Sequence, residues 1–352
     1  MIAFGGFLGS VIVAFVAQKL FSQFLEFPLA IIAVAALFAC AVFIEKKVVD
    51  KLFIISCSLA IFCSIALWQL NQLYVKTDVH SERNFYGILS VKDVDVNGEK
   101  QRRLIDGTTS HGTQSLNPNS AHIPMSYYRK NTGVAIALEQ FAKFKQVEQA
   151  NSIGNATLKV GFIGLGAGTL AAYGEAGDQY RFYEINPAVV NAANNYFSYL
   201  RDSKAEVEMV IGDGRVSLTD ELTDGKIADF DLLVIDAFSG DSIPQHLITV
   251  EAMALYWQHL NENGVIAVHI SNTHLNLLPL MMGLAQESDK SLVYFKTSAA
   301  TATGHETQWV WLTNNEKLQN NLQVKKYQSS ITPTIENVVW TDDFSNLLSV
   351  LK

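Results

Sequence analysis

Flexible or acidic residues follow four apolar runs of the sequence, and their types and spacing suggest chemistry. Gly164-Leu165-Gly166-Ala167-Gly168-Thr169 follows the first run, and Glu184 ends the second. Gly212-Asp213-Gly214 follows the third run, and Asp236 ends the fourth. Ligands of parallel sheets bind at the carboxyl ends of the strands. If the four runs are such strands, these residues line one site.

The segment Gly164–Thr169, called the glycine loop below, is typical of a nucleotide site. Gly164, Gly166 and Gly168 allow the backbone to turn tightly and to approach a ligand, with Ala167 among them. The dinucleotide fingerprint requires Gly or Ala where Thr169 stands. This favours an S-adenosylmethionine-type nucleotide over NAD, and a tight turn without a ligand is the structural alternative.

Each acid at a strand end has a chemical role and a structural alternative. Glu184 could accept hydrogen bonds from both ribose hydroxyls. Asp213 could accept one from the adenine amino group, with Gly214 leaving room for the ring, or it could be a capping residue. A carboxylate at the end of an apolar strand, as at Asp236, is costly without a role or a partner, so Asp236 marks the expected substrate position. His269, which ends the next strand, is more simply a hydrogen-bonded structural residue.

Seven short apolar runs predict strands, and helical patterns lie between most of them. The runs cover residues 160–163, 180–183, 207–211, 231–235, 265–269, 292–296 and 309–312. Helices are predicted at Tyr127–Lys145, Pro187–Tyr199 and Thr249–Leu260. Short apolar strands that alternate with helices predict an α/β domain, with a parallel sheet covered on both faces.

A smaller β module is predicted before this domain. The alternating run Phe85–Val91 and the run Arg103–Gly107 flank Asn97-Gly98, which is a strong hairpin signal. Residues 71–82 are predicted to be a linker into this module.

Three apolar runs, Ile2–Ala17, Phe27–Ile44 and Leu52–Leu70, predict about three transmembrane helices. The last two contain no charge, which favours an anchor over a transport path. Three lysines in residues 45–51 favour the cytoplasmic side for that loop, and with three spans this would place the soluble part outside the cytoplasm. Because S-adenosylmethionine is made in the cytosol, we nevertheless expect the soluble part there.

These patterns divide the chain into four predicted regions: a membrane region at 1–73, a β-hairpin module at 74–125, a nucleotide-binding domain at 126–330 and a C-terminal tail at 331–352. The net charge of −8, with no basic stripe, argues against a nucleic-acid partner. All three cysteines lie in the membrane region without metal-ligand spacing, so we expect no metal site.

These residues resemble the spermidine synthase family of polyamine aminopropyltransferases, especially its membrane-fused bacterial branch, over roughly Arg83 to Leu312. Asp106–Gln114 looks like the family's loop before its substrate-gripping tyrosine. Asp236–Pro244, followed by Gln245-His246-Leu247, looks like the membrane-fused branch. The resemblance implies a class I methyltransferase-like, Rossmann-like sheet of seven strands behind the hairpin module, in a protein of the bacterial inner membrane.

The resemblance also implies a reaction and a set of site residues. The family transfers an aminopropyl group from decarboxylated S-adenosylmethionine to an amine such as putrescine and releases methylthioadenosine. By resemblance, Asp236 orients the amine and takes its proton. The tyrosine would be Tyr127 or Tyr128. We expect the substrate pocket to include these residues: His111, Gln114, Tyr127, Tyr128, Ser239 and Asp241. A homodimer assembled through the hairpin module is expected by resemblance alone.

Two departures from the family pattern remove negative charge. Ala167 stands where the family has an Asp that holds the aminopropyl amino group. Ser239 stands where a second acid would be, with Asp241 two places later. An enzyme of the same fold that acts on intact S-adenosylmethionine, by methyl transfer or by cleavage of its methionine arm, is therefore an alternative. A membrane-tethered nucleotide sensor is a second alternative, although a sensor has no use for Asp236 as a proton acceptor. An NAD oxidoreductase is the remaining one.

Overall fold

A computed structural model describes residues 2–46, 51–107, 109–151, 157–237, 244–299, 306–331 and 336–352. The chain forms two compact units, Met1–Asp93 and Val94–Lys352, and the boundary falls within one strand of the hairpin module.

The first unit contains the predicted membrane helices. Helix α1 (Ile2–Val11) continues through a π-helical segment, Ile12–Ala17, into α2 (Gln18–Leu20). Helices α3 and α4 cover Glu26–Lys46 and Lys51–Val75. Three stretches are long and apolar enough to cross a membrane, namely Ala3–Leu20, Glu26–Ile44 and Phe53–Leu73. Most of their apolar side chains are exposed, which is consistent with membrane association.

The hairpin module contains strands β1 (Asp78–Asn84), β2 (Gly87–Val96), β3 (Glu99–Asp106) and β4 (Thr109–Ser115). Asn97 and Gly98 connect β2 to β3 with φ angles of 55° and 84°, as a two-residue type I′ turn requires, and the predicted hairpin is confirmed. The prediction for the preceding residues was wrong. Helix α4 extends to Val75 and β1 occupies much of the predicted linker, so Phe85 and Tyr86 lie in a turn and not in a strand.

The second unit is built on a sheet of seven strands. They are β5 (Lys159–Ile163), β6 (Gln179–Glu184), β7 (Glu206–Ile211), β8 (Phe230–Ile235), β9 (Leu260–His269), β10 (Ser291–Thr297) and β11 (Thr307–Thr313). The strand order is β10-β11-β9-β8-β5-β6-β7. This is the predicted class I methyltransferase-like fold.

One strand departs from the predicted parallel sheet, because β11 runs antiparallel to both β9 and β10. The other neighbouring pairs are parallel. The physical reason lies in the connection between β10 and β11, which spans residues 298–306. A parallel crossover needs a dozen residues or more, usually with a helix, whereas antiparallel strands can be joined by a short connection.

Helices cover both faces of the sheet. They are α5 (Gly133–Asn151), α6 (Pro187–Tyr196), α7 (Gly214–Thr223), α8 (Val250–Gln258), α9 (Leu278–Glu287), α10 (Glu316–Gln319) and α11 (Leu322–Tyr327). Strand β8 is buried throughout, and its successive side chains alternate between two cores. Leu233 and Ile235 pack in one core, and Leu232 and Val234 pack in the other. The end of β8 is therefore fixed from both sides.

Three predicted helices have different bounds in the structure. The helix predicted at Tyr127–Lys145 begins only at Gly133, and Tyr127 and Tyr128 lie in a 3₁₀ turn over Ser126–Tyr128. Asn131 has a φ of 69°, which interrupts a right-handed helix before Gly133. Helix α6 ends at Tyr196, and Thr249 is the N-cap of α8, its side chain accepting the N–H of Ala252.

The C-terminal tail packs on the second unit. Trp340 is fully buried, and its carbonyl accepts a hydrogen bond of 2.9 Å from the Val250 N–H. Arg215 donates two hydrogen bonds, of 2.7 and 2.6 Å, to the carboxylate of Asp342. The Arg215 guanidinium lowers the pKa of Asp342 to about 2. This ion pair ties the tail to the first turn of α7.

The tail ion pair predicts a pH-dependent contribution to stability. Because the pKa of Asp342 is lower in the folded chain, its stabilising effect is complete above about pH 4 and is lost as the pH falls toward 2. We expect Asp342→Asn to lower the free energy of unfolding at pH 6, and the difference from the wild type to shrink below pH 4. Urea unfolding followed by tryptophan fluorescence measures this difference. Asp224→Asn, at an exposed surface pair, is the control, and a difference that does not vary with pH would contradict the assignment.

Candidate functional site

Asp236 is held at the end of β8 by side chains from two other segments. Its Oδ2 accepts a hydrogen bond of 2.6 Å from the Tyr128 hydroxyl, and its Oδ1 lies 2.7 Å from His269 Nδ1. The parallel register pairs Ile235 of β8 with Val268 of β9, so the next residues, Asp236 and His269, are neighbours at the edge of the sheet. Both side chains are only 7% exposed.

The imidazole of His269 is fixed on all sides. Its Nε2 lies 2.8 Å from the Ser271 hydroxyl, which also accepts the Gln308 N–H at 2.7 Å. The ring stacks between Tyr127 and Trp309, at centroid distances of 5.1 and 4.6 Å. Because an ionised carboxylate only accepts hydrogen bonds, Nδ1 carries the proton when Asp236 is charged.

The two predicted tyrosines lie side by side above this pair, with ring centroids 4.4 Å apart. Burial, reinforced by the nearby Asp236 carboxylate, holds the pKa of Tyr128 well above its usual value. Tyr128 therefore keeps its proton and acts as a donor. The Tyr127 hydroxyl donates to the Ser110 carbonyl at 3.0 Å, which joins the 3₁₀ turn to strand β4.

The glycine loop passes close to two other backbone segments. Gly164 has a φ of 101°, and a Cβ there would lie 2.4 Å from the Asp236 carbonyl oxygen. Gly166 has a φ of 55°, and a Cβ there would lie 2.4 Å from the His111 carbonyl oxygen. That same carbonyl accepts the Ala167 N–H at 3.2 Å. Side chains at Gly164 and Gly166 would push the loop away from both neighbours.

Ala167 is enclosed where the loop meets β4. Its side chain is completely buried, and a Cβ built on Gly112 would lie 2.4 Å from the Ala167 Cβ. Gly168 follows with a left-handed φ of 76° and caps the 3₁₀ turn Thr169–Tyr173. The space beside Ala167 is therefore filled by the β4 backbone at His111 and Gly112.

Glu184 lies at the end of β6 with its carboxylate directed at backbone donors. Oε2 accepts the Leu165 N–H at 3.0 Å, and Oε1 accepts the Asn186 N–H at 2.8 Å. Burial raises the pKa of Glu184, and these backbone hydrogen bonds act against that rise. The negative charge of Asp106, at the end of β3, adds to the rise. Glu184 links the glycine loop to the start of α6.

Asp213 fulfils the capping alternative and also has a side-chain partner. Its Oδ1 accepts the Val216 N–H at 3.0 Å and so caps α7, and its Oδ2 lies 2.8 Å from His246 Nε2. Gly214 opens the helix, and a Cβ there would lie 2.8 Å from Ile163 Cγ2. The absence of a side chain at Gly214 thus serves packing against β5.

The remaining predicted residues differ in their placement. Gln114 is buried, and its amide bonds to the Ala121 carbonyl and to the backbone and side chain of Ser198. It therefore joins β4 to the segments at Ala121 and at Ser198, after α6. His111 borders the glycine loop through its carbonyl oxygen. Ser239 and Asp241 lie outside the described residues.

Sequence reasoning left His269 out of the predicted site, although it obeys the same strand-end rule as Asp236. Among the residues that the structure describes, no three His, Cys, Asp or Glu side chains are grouped as potential metal ligands.

Comparisons with known proteins bear on the resemblance predicted from sequence. No family model matches the chain. A polyamine aminopropyltransferase of Vibrio vulnificus (strain CMCP6) is 32% identical over 116 residues. This match covers 32% of this chain and 37% of the relative, so the chain spans little more than a third of that relative's length.

Two spermidine synthases are among the solved structures that match the chain. A probable spermidine synthase from Corynebacterium glutamicum ATCC 13032 matches with 12% identity over 66% of this chain and 79% of its own, with a TM-score of 0.48. Spermidine synthase from Thermotoga maritima matches with 15% identity over 76% of this chain and 82% of its own, with a TM-score of 0.47. The predicted resemblance to the spermidine synthase family of polyamine aminopropyltransferases is confirmed by the Vibrio relative over the matched residues.

Proposed function

We propose that this chain is a polyamine aminopropyltransferase-like enzyme, which transfers an aminopropyl group from decarboxylated S-adenosylmethionine to an amine such as putrescine. The observation that carries the proposal is the buried Asp236, held by Tyr128 and His269 next to the glycine loop. Such a transfer requires a group that takes the proton of the amine and a loop that binds the nucleotide. Asp236, with its two side-chain hydrogen-bond partners, and the adjacent glycine loop would fill these two roles.

The nucleotide would lie along the carboxyl ends of β5 to β8. The glycine loop, Gly164–Thr169, would approach the methionine-derived arm. Each carboxylate oxygen of Glu184 can accept a further hydrogen bond, so Glu184 could also bind the ribose hydroxyls. Asp213 would accept a hydrogen bond from the adenine amino group. Its Oδ2, which now contacts His246 Nε2, would either accept both hydrogen bonds or give up the one to His246. This assignment uses side chains and backbone only and needs no metal.

The reaction requires that the attacking amine lose a proton, and Asp236 is placed to receive it. Transfer forms a C–N bond to the amine and breaks a C–S bond, whose electron pair stays on the sulfur of methylthioadenosine. The amine must lose one proton, and an alkyl amine of about pKa 10.4 is mostly protonated near neutral pH. Asp236 would receive this proton as it orients the amine, while Tyr128 holds the carboxylate in place.

His269 would assist Asp236 as a positioning residue. A carboxylic acid ordinarily loses its proton at about pH 4, so a lone carboxylate is a poor store for a proton taken from an amine. The 2.7 Å contact places the Nδ1–H of His269 against Asp236 Oδ1, and the stacked rings of Tyr127 and Trp309 keep the imidazole in that orientation. Asp236 would then pass the proton to solvent after transfer.

One observation favours a second candidate, an enzyme of the same fold that acts on intact S-adenosylmethionine. The enclosed Ala167 removes the carboxylate that would hold a free aminopropyl amino group. Without that charge, a methionine carboxylate would meet less repulsion. Methyl transfer and cleavage of the methionine arm to methylthioadenosine both fall under this candidate.

The setting of the enzyme is part of the proposal. The three apolar helices would anchor it in the bacterial inner membrane, with the second unit on the cytosolic side where the nucleotide is made. The small-molecule amine would come from the same compartment. A homodimer through the hairpin module is proposed from the family resemblance.

Mass spectrometry of purified protein tests the proposal and separates the candidates. The protein is incubated with decarboxylated or intact S-adenosylmethionine, each with and without putrescine. We expect methylthioadenosine and spermidine from the decarboxylated form only. Methylthioadenosine from intact S-adenosylmethionine without an amine would support the second candidate instead, and tight nucleotide binding without any product would support a sensor.

Substitution of Asp236 separates proton transfer from nucleotide binding. Asp236→Asn keeps the size of the side chain and removes the charge, so we expect turnover to fall by about 100-fold or more. Nucleotide affinity in isothermal titration should stay within a few-fold. The control is Asp229→Asn, because Asp229 is exposed and its φ of 55° suits Asn. Equal losses of turnover and affinity in Asp236→Asn would contradict the assigned role.

A companion variant, His269→Asn, tests the positioning role. Its amide can still donate to Asp236 Oδ1, but it cannot carry an additional proton. We expect a fall in turnover whose size changes with pH, measured as a pH profile of single-turnover methylthioadenosine formation. A loss that is the same at every pH would indicate a purely structural role.

Ala167→Asp tests whether the family's acid can be restored. Because Ala167 touches the β4 backbone at Gly112, we expect the buried, unpaired carboxylate to destabilise the fold by about 2 kcal/mol or more and not to improve use of the decarboxylated nucleotide. Thermal unfolding and product assays measure the two effects. Ala254→Asp, on an exposed position of α8, is the matched control. A stable Ala167→Asp variant with higher aminopropyl transfer would contradict the enclosed position.

A further inference from the structure

The tip of the β1–β2 hairpin, residues Asn84–Gly87, exposes two aromatic rings. Phe85 is 85% exposed and Tyr86 is 40% exposed, and their rings form an edge-to-face pair with centroids 5.5 Å apart. The Asn84 side chain accepts the Tyr86 N–H at 2.9 Å, so the turn is closed by its own polar groups. The rings are therefore not required to form the turn.

Arg83, the residue before the tip, is bonded to the start of the second membrane helix. Its guanidinium donates two hydrogen bonds, of 2.9 and 2.6 Å, to the carboxylate of Glu26, the first residue of α3. It also donates to the Gln23 carbonyl at 3.1 Å and lies 4.4 Å from the centroid of the Phe24 ring. The Arg83 side chain is only 5% exposed. A bidentate, largely buried ion pair of this kind fixes the position of Arg83 relative to the start of α3.

Strand β1 follows the connection between the first two candidate spans. Gln23 donates to the Ser81 hydroxyl at 3.0 Å, and two residues later Arg83 reaches Glu26. Because the second candidate span begins at Glu26, the tip lies at the level where that helix would enter the bilayer. Phe24 and Phe27 are also exposed at this level, by 58% and 73%.

We propose that the hairpin tip inserts the rings of Phe85 and Tyr86 into the boundary between lipid headgroups and acyl chains, beside the start of α3. Aromatic side chains are enriched at this depth of a membrane, and no residue of Asn84–Gly87 is charged. The partner is the lipid bilayer itself. The inference rests on the membrane association proposed above and is independent of the catalytic assignment.

Spin labelling of the full-length chain in vesicles of phosphatidylethanolamine and phosphatidylglycerol tests the depth of the tip. Cys40, Cys57 and Cys63 are first replaced by Ala. A single label is then attached through Phe85→Cys, and its collisions with oxygen are compared with its collisions with a water-soluble nickel chelate. Phe38→Cys, in the middle of α3, and Phe344→Cys, on the exposed tail, are the matched controls.

We expect the label at position 38 at hydrocarbon depth, the label at position 344 in water and the label at position 85 between them. A label at position 85 with the accessibility of position 344, while position 38 stays in hydrocarbon, would overturn the inference and leave the membrane anchor intact. A label at position 38 in water would overturn both. Strong dipolar coupling between labels at position 85 of two chains would replace the lipid partner by a second copy of the chain.

Discussion

The contact of Asp236 with Tyr128 and His269 is the constraint around which the second unit is arranged. A carboxylate that is 7% exposed is tolerated only with good partners, and these come from the 3₁₀ turn before α5 and from the end of β9. The two cores that enclose β8 fix the carboxylate, and the β9–β11 pairing of His269 with Trp309 fixes the imidazole. A shift of any of these elements would leave a buried charge without its hydrogen bonds.

A second constraint is the close approach of two backbones. The carbonyl of His111 on β4 meets the glycine loop near Ala167, and neither Gly112 nor Gly166 has space for a side chain. The hairpin module therefore closes over the glycine loop at Ala167, one of the two positions at which the sequence departs from the spermidine synthase pattern.

Much of this arrangement could be read from the sequence, because strand-end acids and the Asn97-Gly98 turn are set by local patterns. The antiparallel direction of β11 was missed because an apolar run does not indicate the direction of a strand. The direction is indicated only by the connection to β10, which is too short for a parallel crossover. Tyr127 and Tyr128 were placed in a helix because the apolar spacing after them is helical, while the break near Asn131 depends on backbone geometry. The hydrogen bonds of Gln114 to Ser198 and the ion pair of Arg215 with Asp342 join residues far apart in sequence. No local sequence pattern predicts such contacts.

The packing of the tail has a consequence for the biosynthesis of the chain. Trp340 and Val350 are buried in the same core as residues of β8, β9 and α9. A nascent chain therefore exposes its N-terminal apolar helices long before this core can close. Because Trp340 and Val350 belong to this core, the core is completed only after residue 350 has left the ribosome. The second unit therefore closes late in synthesis, well after the helices of the first unit have emerged.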